Sequence, residues 1–155
     1  MSARAILLAL SLAATGAAAE TEVPVPLQRF LSDAIDACQD LDNGEIAVEP
    51  KALRRVDVSG DGTDDWVLDE AQLACSSAAS LFCGTGGCMV HFLVGDTVTS
   101  YLAKGWEAVD FGPFRPILLQ VHGSNCGGFG YNTCVEAVVW QEDEKRFFSV
   151  RPVAE

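Results

Sequence analysis

Apolar residues recur every three or four positions in the first organised stretch of the chain, "PVPLQRFLSDAIDACQDLDNG". This spacing places them on one face of an amphipathic helix that packs on a core. Prolines stand at the start of the stretch, and Asn43 with Gly44 supplies a stop signal at its end. The apolar face carries Leu27, Phe30, Leu31, Ala34, Ile35, Cys38 and Leu41. We therefore predict one helix that ends before Gly44.

After Gly44 the pattern changes to short runs rich in β-branched and aromatic residues, separated by turn signals such as "SGDG", "GD", "KG", "GPFRP" and "EDEK". Such runs are typical of β-strands joined by tight turns. The predicted strands are "IAV", "ALRRVDV", "DWVLDE", "MVHFLVG", "VTSYLA", "WEAVDF", "PILLQVHG", "CVEAVVWQ" and "RFFSVRP". The stretch from Asp69 to Cys83 lacks strand alternation and is predicted to be a loop or a short helix. The fold class is α+β: one N-terminal helix packed on a curled antiparallel β-sheet, with disulfide bonds.

The first residues of the chain have the features of a secretory signal peptide. Arg4 is followed by the apolar run "AILLALSLAATG" and by three alanines, which is the small-residue pattern of a cleavage site. We predict a signal peptide over residues 1–19 and a single disulfide-stapled domain over residues 20–155. The apolar run is shorter than the roughly 20 residues that a membrane anchor needs. The expected location is therefore the periplasm or the cell exterior, with no membrane span in the mature chain.

The charge balance narrows the class of partner. The chain has 22 Asp and Glu against 10 Lys and Arg, which gives a formal net charge of −12. Such a chain repels phosphate backbones, and no basic stripe interleaved with aromatic residues is present, so nucleic acid is excluded as a partner. We expect the partner to be another macromolecule or a component of the cell envelope, and a basic partner suits the acidity best.

The six cysteines all follow the predicted signal peptide, and an even number in an oxidising compartment indicates disulfide bonds. In "CGTGGC" and "CGGFGYNTC" the glycines let the chain double back, which favours local pairs Cys83–Cys88 and Cys126–Cys134. Cys38 then pairs with Cys75 and closes the longest loop. Zinc binding and thiol redox chemistry are less favoured, since the chain has no C-x-x-C motif.

The acidic stretch "DVSGDGTDD" has the spacing of a cation-binding loop. Calcium takes six to eight oxygen ligands, which chains supply from alternating positions around a sharp glycine turn. Those positions are occupied by the side chains of Asp57, Ser59, Asp61 and Asp65 and by the carbonyl of Thr63. A helix-loop-helix site is excluded, because Leu68 stands where that site has its bidentate glutamate. We predict a structural calcium ion that pins a β-hairpin.

Over these residues the chain resembles the D-x-D-x-D-G calcium loops, and in particular the strand-loop-strand version found in FG-GAP repeats. The resemblance implies a calcium loop and extends to neither the propeller fold nor the function of those repeats. The predicted signal peptide, the single loop, "CGTGGC" and "HGSNCGG" together look like uncharacterised secreted or periplasmic proteins of Gram-negative bacteria. That second resemblance favours the periplasm and implies no activity.

The two histidines invite different interpretations. His91 shares a strand face with Met89 and Leu93, so we interpret it as a core or sheet-face residue. His122 opens the glycine-rich loop "HGSNCGGFG", where Ser124 could act as a nucleophile. No G-x-S-x-G motif supports a serine hydrolase, and a strand end followed by a bridged turn explains the same residues.

A meander of strands from Met89 to Val150 would bring "CGTGGC" and "HGSNCGGFGYNTC" to the same edge of the sheet. The second loop would then offer a small binding surface of His122, Asn125, Phe129, Tyr131 and Asn132. The favoured function is thus a non-enzymatic binding or structural domain with no catalytic residues. The alternative is a small periplasmic hydrolase that uses His122 with Ser124 or Asp110.

Overall fold

The computed structural model describes residues 22–132 and 134–149, so the predicted signal peptide lies outside the described residues. Helix α1 spans Val25–Asp40, with Pro24 as its N-cap and a second proline in its first turn. Proline is tolerated there because the first amide groups of a helix have no intrahelical partner. Beyond Asp40, Asp42 and Asn43 adopt left-handed backbone with φ of 51° and 52°. The predicted helix and its stop signal are confirmed.

Every predicted strand is present within the described residues, and two short strands near the cysteines were missed. The strands are β1 Ile46–Val48, β2 Leu53–Val56, β3 Asp65–Asp69, β4 Leu73–Cys75, β5 Cys83–Gly84, β6 Gly87–Val94, β7 Thr97–Ala103, β8 Gly105–Ala108, β9 Ile117–Val121, β10 Cys134–Gln141 and β11 Arg146–Ser149. One-turn 3₁₀ helices lie at Glu70–Gln72 and Gly123–Cys126. The missed strands β4 and β5 are too short to show alternation.

The strands form three antiparallel sheets instead of the single curled sheet expected from the sequence. Strands β1 and β4 pair alone, β2, β3, β5, β6 and β7 form the second sheet, and β8 to β11 form the third. The second and third sheets separate at Lys104, between β7 and β8, where the Lys104 amide donates to the carbonyl of Gln120 on β9 (2.6 Å). The chain therefore leaves one sheet for the other at the point where a simple meander would continue.

The elements stack in layers, with the second sheet in the middle. On β6, Val90, Phe92 and Val94 join a core shared with the third sheet. The intervening Leu93 packs with Leu27 of α1 on the other face. Because both faces of β6 are covered, this strand is apolar along most of its length. Each large apolar side chain buried in these layers contributes about 1.5–3 kcal/mol to folding.

The three predicted disulfides are confirmed. Cys83–Cys88 and Cys126–Cys134 close short loops, with sequence separations of 5 and 8, and Cys38–Cys75 joins α1 to β4 over a separation of 37. No free cysteine remains among the residues that the structure describes. In the same part of the chain, none of the helices has the length and apolarity required to span a membrane.

The two bridged glycine loops lie at the same end of the molecule, but they belong to different sheets and not to one edge of the single meander expected from the sequence. Lys104 lies beside both loops. Its amide nitrogen would be 2.5 Å from a Cβ added to Gly87, and its Nζ donates to the carbonyl of Gly130 (2.5 Å). Strand β10 begins at Cys134 on this end and runs to Gln141. At about 3.4 Å per residue, its other end is roughly 24 Å away.

Candidate functional site

A groove of about 650 Å³ lies at the end of the sandwich opposite the glycine loops. It is formed where the β2–β3 loop, the β6–β7 turn and the β10–β11 turn meet. Its carboxylates are Asp61, Asp64, Asp65, Asp96 and Glu142, and Lys145 is the one basic residue among the lining residues in the described part of the chain. The groove is therefore strongly negative.

Two of these carboxyl groups have shifted pKa values. Burial raises the pKa of Asp65, although the amides of Val58 and Ser59 donate to its Oδ2 (3.0 and 2.9 Å) and oppose the rise. The pKa of Glu142 is lowered, first by the hydrogen bond from Lys145 and then by the indole of Trp140, which donates to Oε2 (2.8 Å). The ionised form of Asp65 is thus poorly solvated, and a nearby cation would stabilise it.

Two tryptophans give the groove flat apolar walls. Trp66 and Trp140 both line it, on β3 and β10 respectively. The guanidinium of Arg55 lies over the ring of Trp66, 4.7 Å from the centroid. A cation above an aromatic face is attracted by the negative face of the ring. The groove therefore combines carboxylates with aromatic surface, and its edge already holds one guanidinium in this mode.

The predicted calcium loop forms one wall of this groove, and its carboxylates accept hydrogen bonds from backbone amides of the same loop. Asp57 accepts from the amides of Gly60 and Gly62 (2.7 and 3.1 Å), and Asp61 accepts from the amide of Thr63 (2.7 Å). The hydroxyl of Ser59 lies 3.5 Å from Asp57 Oδ1. Gly60 and Gly62 have φ of 81° and 85°, so the sharp turn depends on residues that tolerate left-handed backbone.

A basic residue from the connection between β8 and β9 contacts the same loop. Arg115 Nε donates to the carbonyl of Asp57 (2.5 Å) and lies 3.9 Å from its Oδ2, while Nη1 pairs with Asp110. Within residues 22–132 and 134–149, no group of three or more His, Cys, Asp or Glu side chains is arranged to hold a metal ion. The loop oxygens are of the type that calcium takes, and in this arrangement Asp57 and Asp61 are bonded to backbone amides, with Arg115 also close to Asp57.

The residues of the predicted binding surface share one loop at the opposite end of the molecule. Phe129 and Tyr131 are 70% and 84% exposed, and their rings stack with centroids 5.8 Å apart. The side chain of Asn132 accepts from the amide of Phe129 (2.7 Å), and the amide of Asn125 donates to the carbonyl of His122 (2.9 Å). The loop thus presents an exposed aromatic pair on a bridged turn.

His122 and Ser124 contact each other, but Asp110 lies elsewhere. His122 Nδ1 is 2.7 Å from Ser124 Oγ and accepts from the Ser124 amide (3.3 Å). The Nε2 side of the ring packs against Gly130, where an added Cβ would approach to 2.3 Å. The carboxylate of Asp110 instead pairs with Arg115. The residues of the predicted hydrolase site are therefore brought together only in part.

His91 is buried on the helix side of β6, as its neighbours in the sequence suggest, and it is 2% exposed. Both of its ring nitrogens have polar partners: Nδ1 lies 2.7 Å from Ser100 Oγ, and Nε2 lies 2.9 Å from Glu70 Oε1. Ser100 and Glu70 were not predicted as site residues from the sequence. The carboxylates of Asp64, Asp96 and Glu142 were not predicted either, because their turns meet only after the sheets have packed.

No protein-family model, curated protein or solved structure matches this chain.

Proposed function

We propose that the protein is a binding domain of the periplasm or the cell exterior, and that its acidic groove takes a Lys- and Arg-rich segment of another protein. The single observation that carries this proposal is the lining of the groove, in which five carboxylates stand against one lysine. That lysine is already paired with Glu142, so it neutralises little of the remaining charge. The three disulfides support an oxidising location.

The shape and chemistry of the groove favour guanidinium groups over a simple counterion. Trp66 and Trp140 offer aromatic faces, and Arg55 already lies on the first of them. Asp64 and Asp96 are exposed at the groove, where they can pair with a bound cation while the tryptophans contact the apolar part of its side chain. The partner is therefore a flexible basic segment whose side chains can enter from solvent.

Calorimetric titration of the oxidised protein with an octa-arginine peptide tests this proposal. We expect saturable binding that weakens as salt is added, since screening reduces attraction between exposed charges. The matched control is the same peptide built from citrulline, which has nearly the same shape but no charge. Absence of saturable binding to octa-arginine, or equal binding of the citrulline peptide, would overturn the proposal.

A pair of charge variants tests the position of the site. Asp64→Asn with Asp96→Asn should weaken octa-arginine binding about tenfold, because each lost exposed ion pair costs up to about 1 kcal/mol. The control is Glu49→Gln with Glu107→Gln, which removes the same charge from exposed positions outside the groove lining. Equal weakening by both pairs would contradict the groove as the site. Loss on Phe129→Ala with Tyr131→Ala alone would move the site to the aromatic loop.

We also propose that the Asp57–Asp65 loop takes calcium as a structural ion. Asp57, Asp61 and Asp65 lie in one turn, and Asp57 and Asp65 both meet Ser59. The test is a thermal melt of the oxidised protein with calcium, with magnesium and with chelator. We expect calcium to raise Tm, and to raise it further in Arg115→Gln, where no guanidinium competes for Asp57. An unchanged Tm at millimolar calcium in both proteins would refute the proposed ion.

A further inference from the structure

The contacts of His91 define a second polar site, which lies on the face of β6 turned towards α1. Ser100 is the direct cross-strand neighbour of His91 on β7, and the hydroxyl lies 2.7 Å from Nδ1. Glu70, in the 3₁₀ helix after β3, approaches Nε2 to 2.9 Å. Three residues far apart in the sequence are thus joined as hydroxyl, imidazole and carboxylate.

The hydrogen bonds determine which nitrogen is the base. An ionised carboxylate can only accept hydrogen bonds, so the proton of the neutral imidazole lies on Nε2 and points to Glu70. Nδ1 then has a free lone pair and accepts from the hydroxyl of Ser100. The roles are those that activate a serine, a base on the hydroxyl and an acid that fixes the tautomer of the base, with the two ring nitrogens exchanged relative to the Ser-His-Asp triad.

The burial of the three groups differs in the way that this chemistry requires. His91 is 2% exposed, and the Glu70 side chain is 16% exposed, so the imidazole and its carboxylate are held away from bulk water. Ser100, in contrast, is an exposed residue. The ring of Phe30 stacks on the imidazole with centroids 4.0 Å apart, which fixes the plane of the ring. Ser100 is therefore exposed to solvent, while Phe30 and Glu70 hold the imidazole of His91 in place.

The three groups open into an apolar cleft of about 450 Å³ between α1 and strands β6 and β7. This volume is within the range of about 300–1,000 Å³ that is typical of small-molecule sites. The apolar side chains that line it include Phe30, Ala34, Leu81, Phe82 and Met89. The charged residues of the lining, Asp33 and Glu70, are both acidic, which disfavours an anionic ligand.

We propose that Ser100, His91 and Glu70 form a nucleophilic triad that transfers the acyl group of uncharged apolar esters to Ser100 and then to water. Ser100 and His91 are the catalytic residues, and Glu70 is a positioning residue that acts through His91. This activity goes beyond the proposed binding function, and the triad lies outside the lining of the acidic groove.

The reaction has two steps. Ser100 Oγ bonds to the ester carbonyl carbon and its proton moves to His91 Nδ1; the bond to the alcohol oxygen then breaks, and the imidazolium returns the proton to that oxygen. In the second step water attacks the acyl group, His91 takes one of its protons, and this proton passes to Ser100 Oγ as the carboxylic acid departs. Atoms and charges balance with ester and water as the only reactants.

The first experiment treats the oxidised protein with a fluorophosphonate probe and maps the adduct by tandem mass spectrometry. We expect one adduct on Ser100, its loss in Ser100→Ala, and unchanged labelling in Ser124→Ala. His91→Gln retains an amide that can donate to Glu70 but has no base, so the labelling rate should fall at least about 100-fold. An adduct on Ser124, or no adduct at all, would overturn the proposal.

The second experiment separates catalysis from folding. Glu70→Gln can still accept a bond from His91 but does not stabilise the imidazolium, so the rate of inactivation at saturating probe should fall about tenfold. Its apparent affinity for the probe should not change. Hydrolysis of 4-nitrophenyl butyrate should follow the same order: wild type, then Glu70→Gln, then Ser100→Ala at the uncatalysed rate. Equal inactivation rates in wild type and Glu70→Gln would refute the role of Glu70, and unchanged ester hydrolysis in Ser100→Ala would refute the triad.

Discussion

The molecule contains two histidine–serine pairs with the same contact distance and different surroundings. His91–Ser100 and His122–Ser124 both join Nδ1 to Oγ at 2.7 Å. The first pair spans neighbouring strands, whereas the second lies within the N-terminal turn of a 3₁₀ helix, where His122 caps the Ser124 amide. Only the first pair has a carboxylate on the other ring nitrogen among the described residues.

The difference shows that distance alone does not make a histidine a base. At Ser124 the imidazole satisfies a backbone amide at the start of a turn, which is a capping role. At Ser100 the imidazole connects a carboxylate to an accessible hydroxyl, and no backbone amide competes among the contacts described. A third group and an unshared lone pair therefore distinguish the triad from the cap.

The largest expected difference between the pairs is in stability. His91→Ala leaves a cavity beside Phe30 and removes the partner of Glu70, so the free energy of unfolding should fall by about 3 kcal/mol. His122→Ala removes a partly exposed ring from a bridged turn, and the fall should stay below about 1 kcal/mol. Chemical denaturation of the two oxidised variants measures both values. Equal losses would mean that burial of His91 contributes little.

A smaller difference in stability is expected between variants of Glu70 and Asp110, the carboxylates considered as partners of the two histidines. Glu70→Ala leaves the buried Nε2–H of His91 without an acceptor and should cost about 1–2 kcal/mol. Asp110→Ala removes an 85% exposed carboxylate that pairs with Arg115, and should cost less than about 0.5 kcal/mol. Urea midpoints at constant m-value provide the comparison. A larger cost for Asp110 would indicate that the Arg115 contacts, and not the triad, carry the stability.

The smallest expected difference between the two pairs is in the rate at which the imidazole N–H protons of His91 and His122 exchange with water. The Nε2–H of His91 is buried and bonded to Glu70, so its proton resonance should be visible in a spectrum recorded in water. The ring of His122 is only partly buried, and its proton should exchange too fast to be seen. Glu70→Ala should remove the visible resonance, and His122→Ala should leave it unchanged. A resonance that survives Glu70→Ala would show that burial alone protects it.

Part of this comparison could be predicted from the sequence. Strands β6 and β7 are joined by the two-residue turn of Gly95 and Asp96, with Gly95 at φ 57°, and such a turn sets the register of a hairpin. The pairing of His91 with Ser100 follows from that turn. The approach of Glu70 does not, because it depends on β3 pairing with β6 through Asp69 and Val90, a contact between distant parts of the chain.

The same distinction between local and distant signals applies to the rest of the molecule. The helix, the main strands and the cysteine pairs follow from periodicity and from short loops, so they were predicted correctly. The acidic groove could not be predicted, since Asp64, Asp96 and Glu142 occupy three separate turns. Nor could the division into separate sheets, which depends on the Lys104 amide bonding to the Gln120 carbonyl of the third sheet instead of continuing the second sheet.

The span of the Cys38–Cys75 bridge has a consequence for the order in which the molecule matures. Two bridges join cysteines separated by 5 and 8 positions in the sequence. This one joins cysteines separated by 37 positions, which the pairing of β1 with β4 helps to bring together. We expect it to be the last to form, and thiol trapping during oxidation would reveal an intermediate with Cys38 and Cys75 still free. Helix α1 is a wall of the apolar cleft, so an oxidising chain would complete the sandwich before it completed the cleft.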